Sequence, residues 1–197
     1  MQPIEFIGIR GGHGATTVAL AAAATIAAVQ PVRLATHDRS AMCAIVGIAH
    51  DGLPLPIAAQ LELSTGECDG DVIDAGTLQR RFDDEPFDDE ISRRRETGPQ
   101  SLKVGVLRGP DYLGPPTLHE RSEAPLDGLV VVHEPGRALD AADVERVTGR
   151  ELLAVVEHTP AMTRTLDAGL FVQRVTTMRE FAPLRAWIGQ HLVEEAA

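Results

Sequence analysis

Short apolar runs alternate along the chain with longer amphipathic or alanine-rich stretches. Runs such as GLVVV (128–132) and LLAVV (152–156) are continuously apolar, which is typical of strands that are covered on both faces of a sheet. The pattern predicts strands at Pro3–Ile9, Pro31–Thr36, Asp71–Asp74, Leu102–Leu107, Gly128–His133 and Glu151–Val156.

Helical patterns occupy the intervals between these strands. They predict helices at Ala15–Val29, within Leu55–Leu63, around Leu113–Arg121, at Asp140–Thr148 and at Met178–Val193. Such alternation indicates an α/β fold with a doubly wound, mostly parallel sheet and helices on both faces. Because no linker divides the chain, its 197 residues are expected to form a single domain, 1–197.

Composition and charge narrow the function classes. The net charge of -11 argues against broad adhesion to DNA or to an anionic membrane, although a local basic patch would still be compatible with it. Cys43 and Cys68 lack metal-site spacing and are expected to be buried thiols in a reducing compartment. No apolar run reaches the roughly 18 residues of a membrane span, and no signal-peptide pattern is apparent. We therefore expect a soluble, cytoplasmic protein.

One segment departs from the α/β alternation. Residues 80–96 read RRFDDEPFDDEISRRRE, in which FDDE occurs twice. A stretch of this composition is expected to form a solvated, flexible insert at about 80–100. A docking or regulatory segment is the alternative, since Arg93, Arg94 and Arg95 could contact phosphate if the neighbouring acids did not compete.

The sequence GIRGGHGATT (8–17) joins the first predicted strand to the first predicted helix. Glycines in such a loop let several backbone N–H groups point inward, and the following helix adds the positive end of its dipole. Thr16 is placed to reach a magnesium ion, but Ala15 occupies the position of the usual phosphate-binding lysine. His13, inside the loop, is expected to be a solvent-facing turn residue. The remaining histidines show no metal-ligand spacing.

The stretch RGGHGATT (10–17) resembles the deviant Walker A motif of the ParA/MinD family, KGGxGKTT. This family consists of partition and septum-positioning ATPases with a P-loop fold. Arg10 matches the lysine that crosses a dimer interface to the partner's nucleotide, whereas Ala15 matches the main P-loop lysine and lacks its function. The resemblance implies an ATP-binding loop made of Arg10, Gly11, Gly12, His13, Gly14, Ala15, Thr16 and Thr17.

Further matches follow in the family's order along the chain. VRLATHDRS (32–40) resembles the second strand, which implies that Asp38 is the catalytic aspartate of switch I, with Thr36 replacing the first aspartate. GDVIDAGT (70–77) resembles the Walker B strand, so Asp74 and Thr16 are implied as magnesium ligands. Residues 127–170 resemble the family's C-terminal half. Helix capping or turn formation is the alternative role for Asp38 and Asp74, which both lie at predicted strand ends.

These matches predict a ParA/MinD-like protein with a degenerate nucleotide site. ATP with magnesium would bind weakly, and ATPase activity would be weak or absent. The protein would act in chromosome or plasmid partition, or in division-site positioning, as a regulatory or scaffolding partner. It would work through protein partners, including a homodimer. It would bind no membrane, because the last predicted helix ends among acids, and it would not bind nucleic acid strongly.

Two alternatives belong to other classes of protein. A Rossmann-type dinucleotide-binding enzyme would use Asp38 to bind a ribose, but the third glycine of G-x-G-x-x-G is missing from this loop. A protein-interaction module would keep the fold and bind no nucleotide.

Overall fold

The computed structural model describes residues 1–48, 55–64, 70–77, 101–108, 126–136 and 140–195. Its strands are β1 Ile4–Gly8, β2 Val32–Thr36, β3 Leu55–Ala58, β4 Leu61–Leu63, β5 Val72–Thr77, β6 Leu102–Arg108, β7 Gly128–His133 and β8 Leu152–Glu157. Its helices are α1 Ala15–Ile26, α2 Arg39–Val46, α3 Ala141–Thr148, α4 Pro160–Asp167, α5 Phe171–Val175 and α6 Ala182–Glu195, the last preceded by a 3₁₀ turn, Arg179–Phe181.

The strands form one eight-stranded sheet in the order β3-β4-β2-β5-β1-β6-β7-β8. Neighbouring strands run parallel, except that β3 lies antiparallel to β4 at one edge. The chain winds from β1 towards β2 on one side and crosses to β6 on the other, so β1 stands where the strand order reverses. In open α/β sheets this reversal point, at the carboxyl ends of the strands, is where ligands bind.

Each face of the sheet carries its own apolar layer. Ile4 and Phe6 of β1 are buried on one face with α1, α2, α4, α5 and α6, while Ile7 and Ile9 are buried on the other with Val144 of α3. This alternation follows from the two-residue period of side chains along a strand. The predicted doubly wound α/β fold, with helices on both faces, is confirmed.

Helix α1 lies against the middle of the sheet. It contacts β1, β2 and β5 on one side and α5 and α6 on the other. Ala19, Ala21, Ala22 and Ala23 are completely buried there, because their short side chains let the helix lie close to both layers. The core beyond α1 contains Phe171 and Phe181, whose rings meet edge to face with centroids 5.3 Å apart.

The prediction of a helix within Leu55–Leu63 is wrong, because this segment forms β3 and β4. Leu61 and Leu63 are buried while Glu62 is not, which is the period of a strand. Leu61 pairs with Val32 of β2, and Pro56 would in any case interrupt a helix. Pairing with a distant strand therefore decides the structure of this segment.

The other predicted elements agree with the structure to within a few residues. Helix α1 ends at Ile26 rather than Val29, and the last predicted helix begins as the 3₁₀ turn. Helices α2, α4 and α5, of eight, eight and five residues, were not predicted from the sequence. The predicted helix at 113–121 and the charged insert at about 80–100 lie outside the described residues.

Candidate functional site

The glycine loop connects β1 to α1 at the reversal point of the sheet. Gly12 has φ 79° and Gly14 has φ 87°, a left-handed conformation that strains any residue with a Cβ. Gly14 immediately precedes α1, and its carbonyl accepts a hydrogen bond from Val18 N at 2.9 Å. The chain thus turns twice within three residues, which lets Gly11 and Gly12 lie exposed in front of the helix.

The His13 side chain packs against the inside of the glycine loop. The residue is buried, with 6% of its surface exposed, and its Nδ1 accepts a hydrogen bond from Arg10 N at 3.3 Å. An accepting Nδ1 carries no proton, so this geometry assigns the ring proton of the neutral side chain to Nε2. The expectation of a solvent-facing histidine is wrong, because the left-handed turns on either side direct its ring back onto the loop.

Close packing surrounds the first residue of α1. Ala15 is buried, and a Cβ placed on Gly8 would lie 3.5 Å from the Ala15 Cβ and 3.3 Å from the carbonyl oxygen of Gly76. The ends of β1 and β5 and the start of α1 therefore meet at one point. The hydroxyl-bearing residues that follow differ in exposure, since Thr16 is half-buried and Thr17 is buried.

Asp74 lies at this meeting point with no exposed surface. Its Oδ2 accepts a hydrogen bond from Thr36 Oγ1 at 2.8 Å, and its Oδ1 accepts one from Gly76 N at 3.4 Å. His37 Nδ1 lies 3.9 Å from Oδ2. A buried carboxylate is stable only when such donors compensate its lost hydration, and Thr36 and Gly76 supply them.

A β-bulge shapes the end of β5. Phe6 pairs with Asp74 and Gly8 pairs with Thr77, so β5 carries one residue more than β1 over this interval. Gly76 takes the left-handed conformation at this register shift, φ 75°, which glycine adopts readily. A Cβ at Gly76 would lie 2.9 Å from the His37 ring, so the bulge also provides the space for that ring.

Asp38 lies at the end of β2 and caps α2. Its side chain accepts a hydrogen bond from Ala41 N at 2.9 Å, and its own N–H donates to Thr36 Oγ1 at 3.2 Å. The carboxylate is exposed to solvent. The structure thus brings Asp38, Asp74 and the glycine loop together near the carboxyl ends of β1, β2 and β5. Asp38 caps α2 there.

On the other side of β1, an ion pair lies at the carboxyl ends of β6 and β7. Arg108, the last residue of β6, donates from Nε to Oε1 of Glu134 at 2.7 Å, and a second guanidinium nitrogen contacts the same oxygen. Glu134 also lines a cleft of ≈ 630 Å³, together with Pro135, His158 and Thr163. Sequence reasoning missed these residues; the one signal was a charge directly after the apolar run of β6.

Two negative findings apply to the described residues. They contain no group of three or more His, Cys, Asp or Glu side chains that could hold a metal ion by themselves. They also contain no helix that is both long and apolar enough to cross a membrane.

No protein-family model and no curated protein matches this sequence. Its fold, however, matches solved structures over almost the whole length of both chains. The septum site-determining protein MinD of Pyrococcus horikoshii, solved with Mg-ADP, is 12% identical with a TM-score of 0.64, covering 100% of this chain and 97% of MinD. The MinC:MinD complex of Aquifex aeolicus gives 10% identity, a TM-score of 0.64 and coverage of 98% and 96%. A ParA family ATPase of Chlorobium tepidum gives 14% identity and a TM-score of 0.58, covering 95% of this chain and 98% of the ATPase chain.

At these identities the likeness is one of fold. The chain has the same overall fold as these MinD and ParA structures. Its glycine loop stands at the same β1–α1 junction that the sequence motif indicates.

Proposed function

We propose that this protein is a ParA/MinD-like nucleotide-binding protein with little or no ATPase activity. It would act as a regulatory or scaffolding partner in chromosome or plasmid partition or in division-site positioning. One observation carries the proposal: a loop with two left-handed glycines, at the reversal point of a MinD-like sheet, leads into α1 through a buried Ala15. The loop keeps a phosphate cradle and lacks the lysine that would complete it.

The backbone of the loop supports binding of a phosphate group. Gly11 and Gly12 are exposed, and a loop of this kind, followed by a helix start, attracts anions through its N–H groups. Pyrococcus horikoshii MinD, which has the same fold, was solved with Mg-ADP. The cleft beyond Glu134 offers room at the same edge for the remainder of a nucleotide.

The missing lysine limits what a bound nucleotide can do. A hydrogen bond to a charged group contributes roughly 1.5–3 kcal/mol, so its loss weakens ATP binding roughly tenfold to a hundredfold. Loss of a preorganised donor in the transition state lowers the rate by about 10²–10³. Asp38, the implied catalytic aspartate, caps α2 instead.

Magnesium would bind through oxygen ligands, as it prefers in proteins. Thr16, half-buried in the first turn of α1, and Asp74 fit that chemistry. Thr36 would orient the Asp74 carboxylate through its 2.8 Å hydrogen bond. The metal would supply charge neutralisation to the phosphates.

Protein partners are part of the proposal. The MinD of Aquifex aeolicus was solved as a complex with MinC. In this chain a homodimer would place Arg10 near the partner's nucleotide, as the resemblance implies.

The proposal is tested by restoring the lysine. In Ala15→Lys, the affinity for ATP should rise by about tenfold or more, because a charge-assisted hydrogen bond is regained. Ala15→Met is the matched control, since it adds a chain of similar length without charge and should produce no gain. Isothermal titration calorimetry with ATP, ADP, GTP and NAD, each with and without magnesium, measures the affinities. NAD is included because the Rossmann-type alternative would bind it.

The hydrolysis part of the proposal is measured by phosphate release. Turnover of ATP by the natural sequence should lie at or near background. Clear magnesium-dependent turnover that disappears in Asp38→Asn would refute it, and an Ala15→Lys variant without affinity for any nucleotide would refute the binding site.

A further inference from the structure

The Arg108–Glu134 ion pair lies beside the glycine loop. Gly8 of β1 pairs with Val106 of β6, and Ile9 N donates to Val106 O at 3.0 Å. Arg108 comes two residues after Val106 on β6, the strand next to the one that leads into the loop. A Cβ on Gly14 would lie 3.8 Å from Val132 Cγ2, so the far end of the loop extends past β6 to β7.

Both side chains of the pair belong to the α1 face of the sheet. Val104 and Val106 of β6 are buried in the layer that contains α1. Arg108 has the same parity on β6 and therefore points to the same face. Glu134 comes two residues after Val132, which also belongs to that layer. The guanidinium group thus lies on the side of the sheet from which the glycine loop rises.

We propose that Arg108 is the cation that this site offers to a phosphate group in place of the missing lysine, and that Glu134 competes with the phosphate for it. This inference rests on the proposed nucleotide site. A guanidinium group presents its N–H donors as a fork that fits a carboxylate and a phosphate equally. Glu134 now occupies that fork through Arg108 Nε and a second nitrogen.

The exposure of the pair permits the exchange. The Arg108 side chain is 37% exposed and that of Glu134 is 19% exposed, so an anion from solvent can reach the guanidinium group. The pair is part-buried, so separating its partners costs more than at a fully exposed pair and less than at a fully buried one. A phosphate held by the loop carries more charge than the carboxylate and would displace it, while the carboxylate keeps the apparent affinity low.

Neutralising each partner separately tests the proposal. The probes are ATP and inorganic tripolyphosphate, which has no base, titrated calorimetrically at constant ionic strength. Glu134→Gln should bind both about three- to tenfold more tightly, because Arg108 loses its competitor. Arg108→Gln should bind both about ten- to hundredfold more weakly, and the double variant should bind as weakly as Arg108→Gln. Arg108→Lys should retain part of the affinity.

A second ion pair provides the matched control. Asp143 and Arg146 of α3 form an exposed pair on the opposite face of the sheet. Asp143→Asn changes the net charge as Glu134→Gln does, and Arg146→Gln as Arg108→Gln does. Both controls should leave the affinities unchanged, and thermal unfolding of each variant verifies that it is folded.

Three outcomes would overturn the proposal. Equal effects in the pair and in its control would show that net charge alone acts on the ligand. If Ala15→Lys binds ATP but Arg108→Gln in that background binds it equally well, Arg108 plays no part and the nucleotide site survives. If neither Ala15→Lys nor Glu134→Gln binds ATP or tripolyphosphate, the nucleotide site itself is refuted.

Discussion

At the scale of single residues, the site depends on side chains that could serve more than one role. An aspartate at a strand end can cap the next helix or act on a ligand. Asp38 accepts a hydrogen bond from Ala41 N at 2.9 Å. The capping role is therefore the one that the structure displays, and it makes a prediction about stability.

Asp38→Ala should lower the free energy of unfolding by about 1 kcal/mol, within the range of 0.5–2 kcal/mol typical of lost N-caps. Asp38→Asn is the matched control and should stay close to the natural protein, because asparagine caps helices equally well. Urea unfolding followed by circular dichroism measures both. An unchanged stability in Asp38→Ala together with weaker ATP binding would contradict the capping role and indicate contact with the ligand.

At the scale of elements, the backbones at the ends of helices α2 and α4 lie close together in the α1 layer. Helix α2 ends at Gly47, which has φ 70°, and Gly169 after α4 has φ 65°. A Cβ on Gly47 would lie 3.2 Å from the carbonyl oxygen of Gly169. The two helix ends can meet this closely because neither residue carries a side chain.

Gly47→Ala should therefore destabilise the protein more than Gly149→Ala does. Gly149 also ends an eight-residue helix in the left-handed conformation, φ 62°, but a Cβ there would meet open space. Gly149→Ala should cost about 1–2 kcal/mol, the left-handed penalty alone, and Gly47→Ala should exceed it by the cost of moving α2 from α4. Equal losses in urea unfolding would mean that the contact contributes nothing.

At the scale of the whole molecule, the site bears on self-association. A ligand shifts an equilibrium between monomer and closed dimer only by the difference in its affinity for the two states. In the proposed nucleotide site, Ala15 stands where the resemblance implies the main lysine, so ATP would have less to hold it in a closed dimer. Any dimer should therefore form through protein contacts and not through shared phosphate contacts.

Sedimentation velocity should show the same oligomeric state with and without ATP and magnesium. Ala15→Lys provides the positive control. With the lysine restored, ATP should increase the fraction of closed dimer. A natural protein that dimerises only with ATP, and that fails to do so in Arg10→Ala, would demonstrate a working nucleotide switch and contradict this prediction.

The sequence by itself determined the α/β alternation, most of the strands, helices α1, α3 and α6, and the location of the glycine loop. These features are encoded locally: continuous apolar runs such as GLVVV form buried strands, and the glycines of the loop permit its left-handed turns. Asp38, just after β2, and Asp74, within β5, were also found from the sequence, because they follow apolar residues.

Only the tertiary structure decided which partners these residues meet. Leu55–Leu63 forms strands because β4 pairs with β2, His13 is buried by the turns around it, and Asp74 meets Thr36 from a strand 38 positions away. Arg108 and Glu134 are 26 positions apart and meet because β6 and β7 are neighbours. Contacts of this kind depend on which strands become neighbours, and that order arises only when distant segments are packed into one sheet.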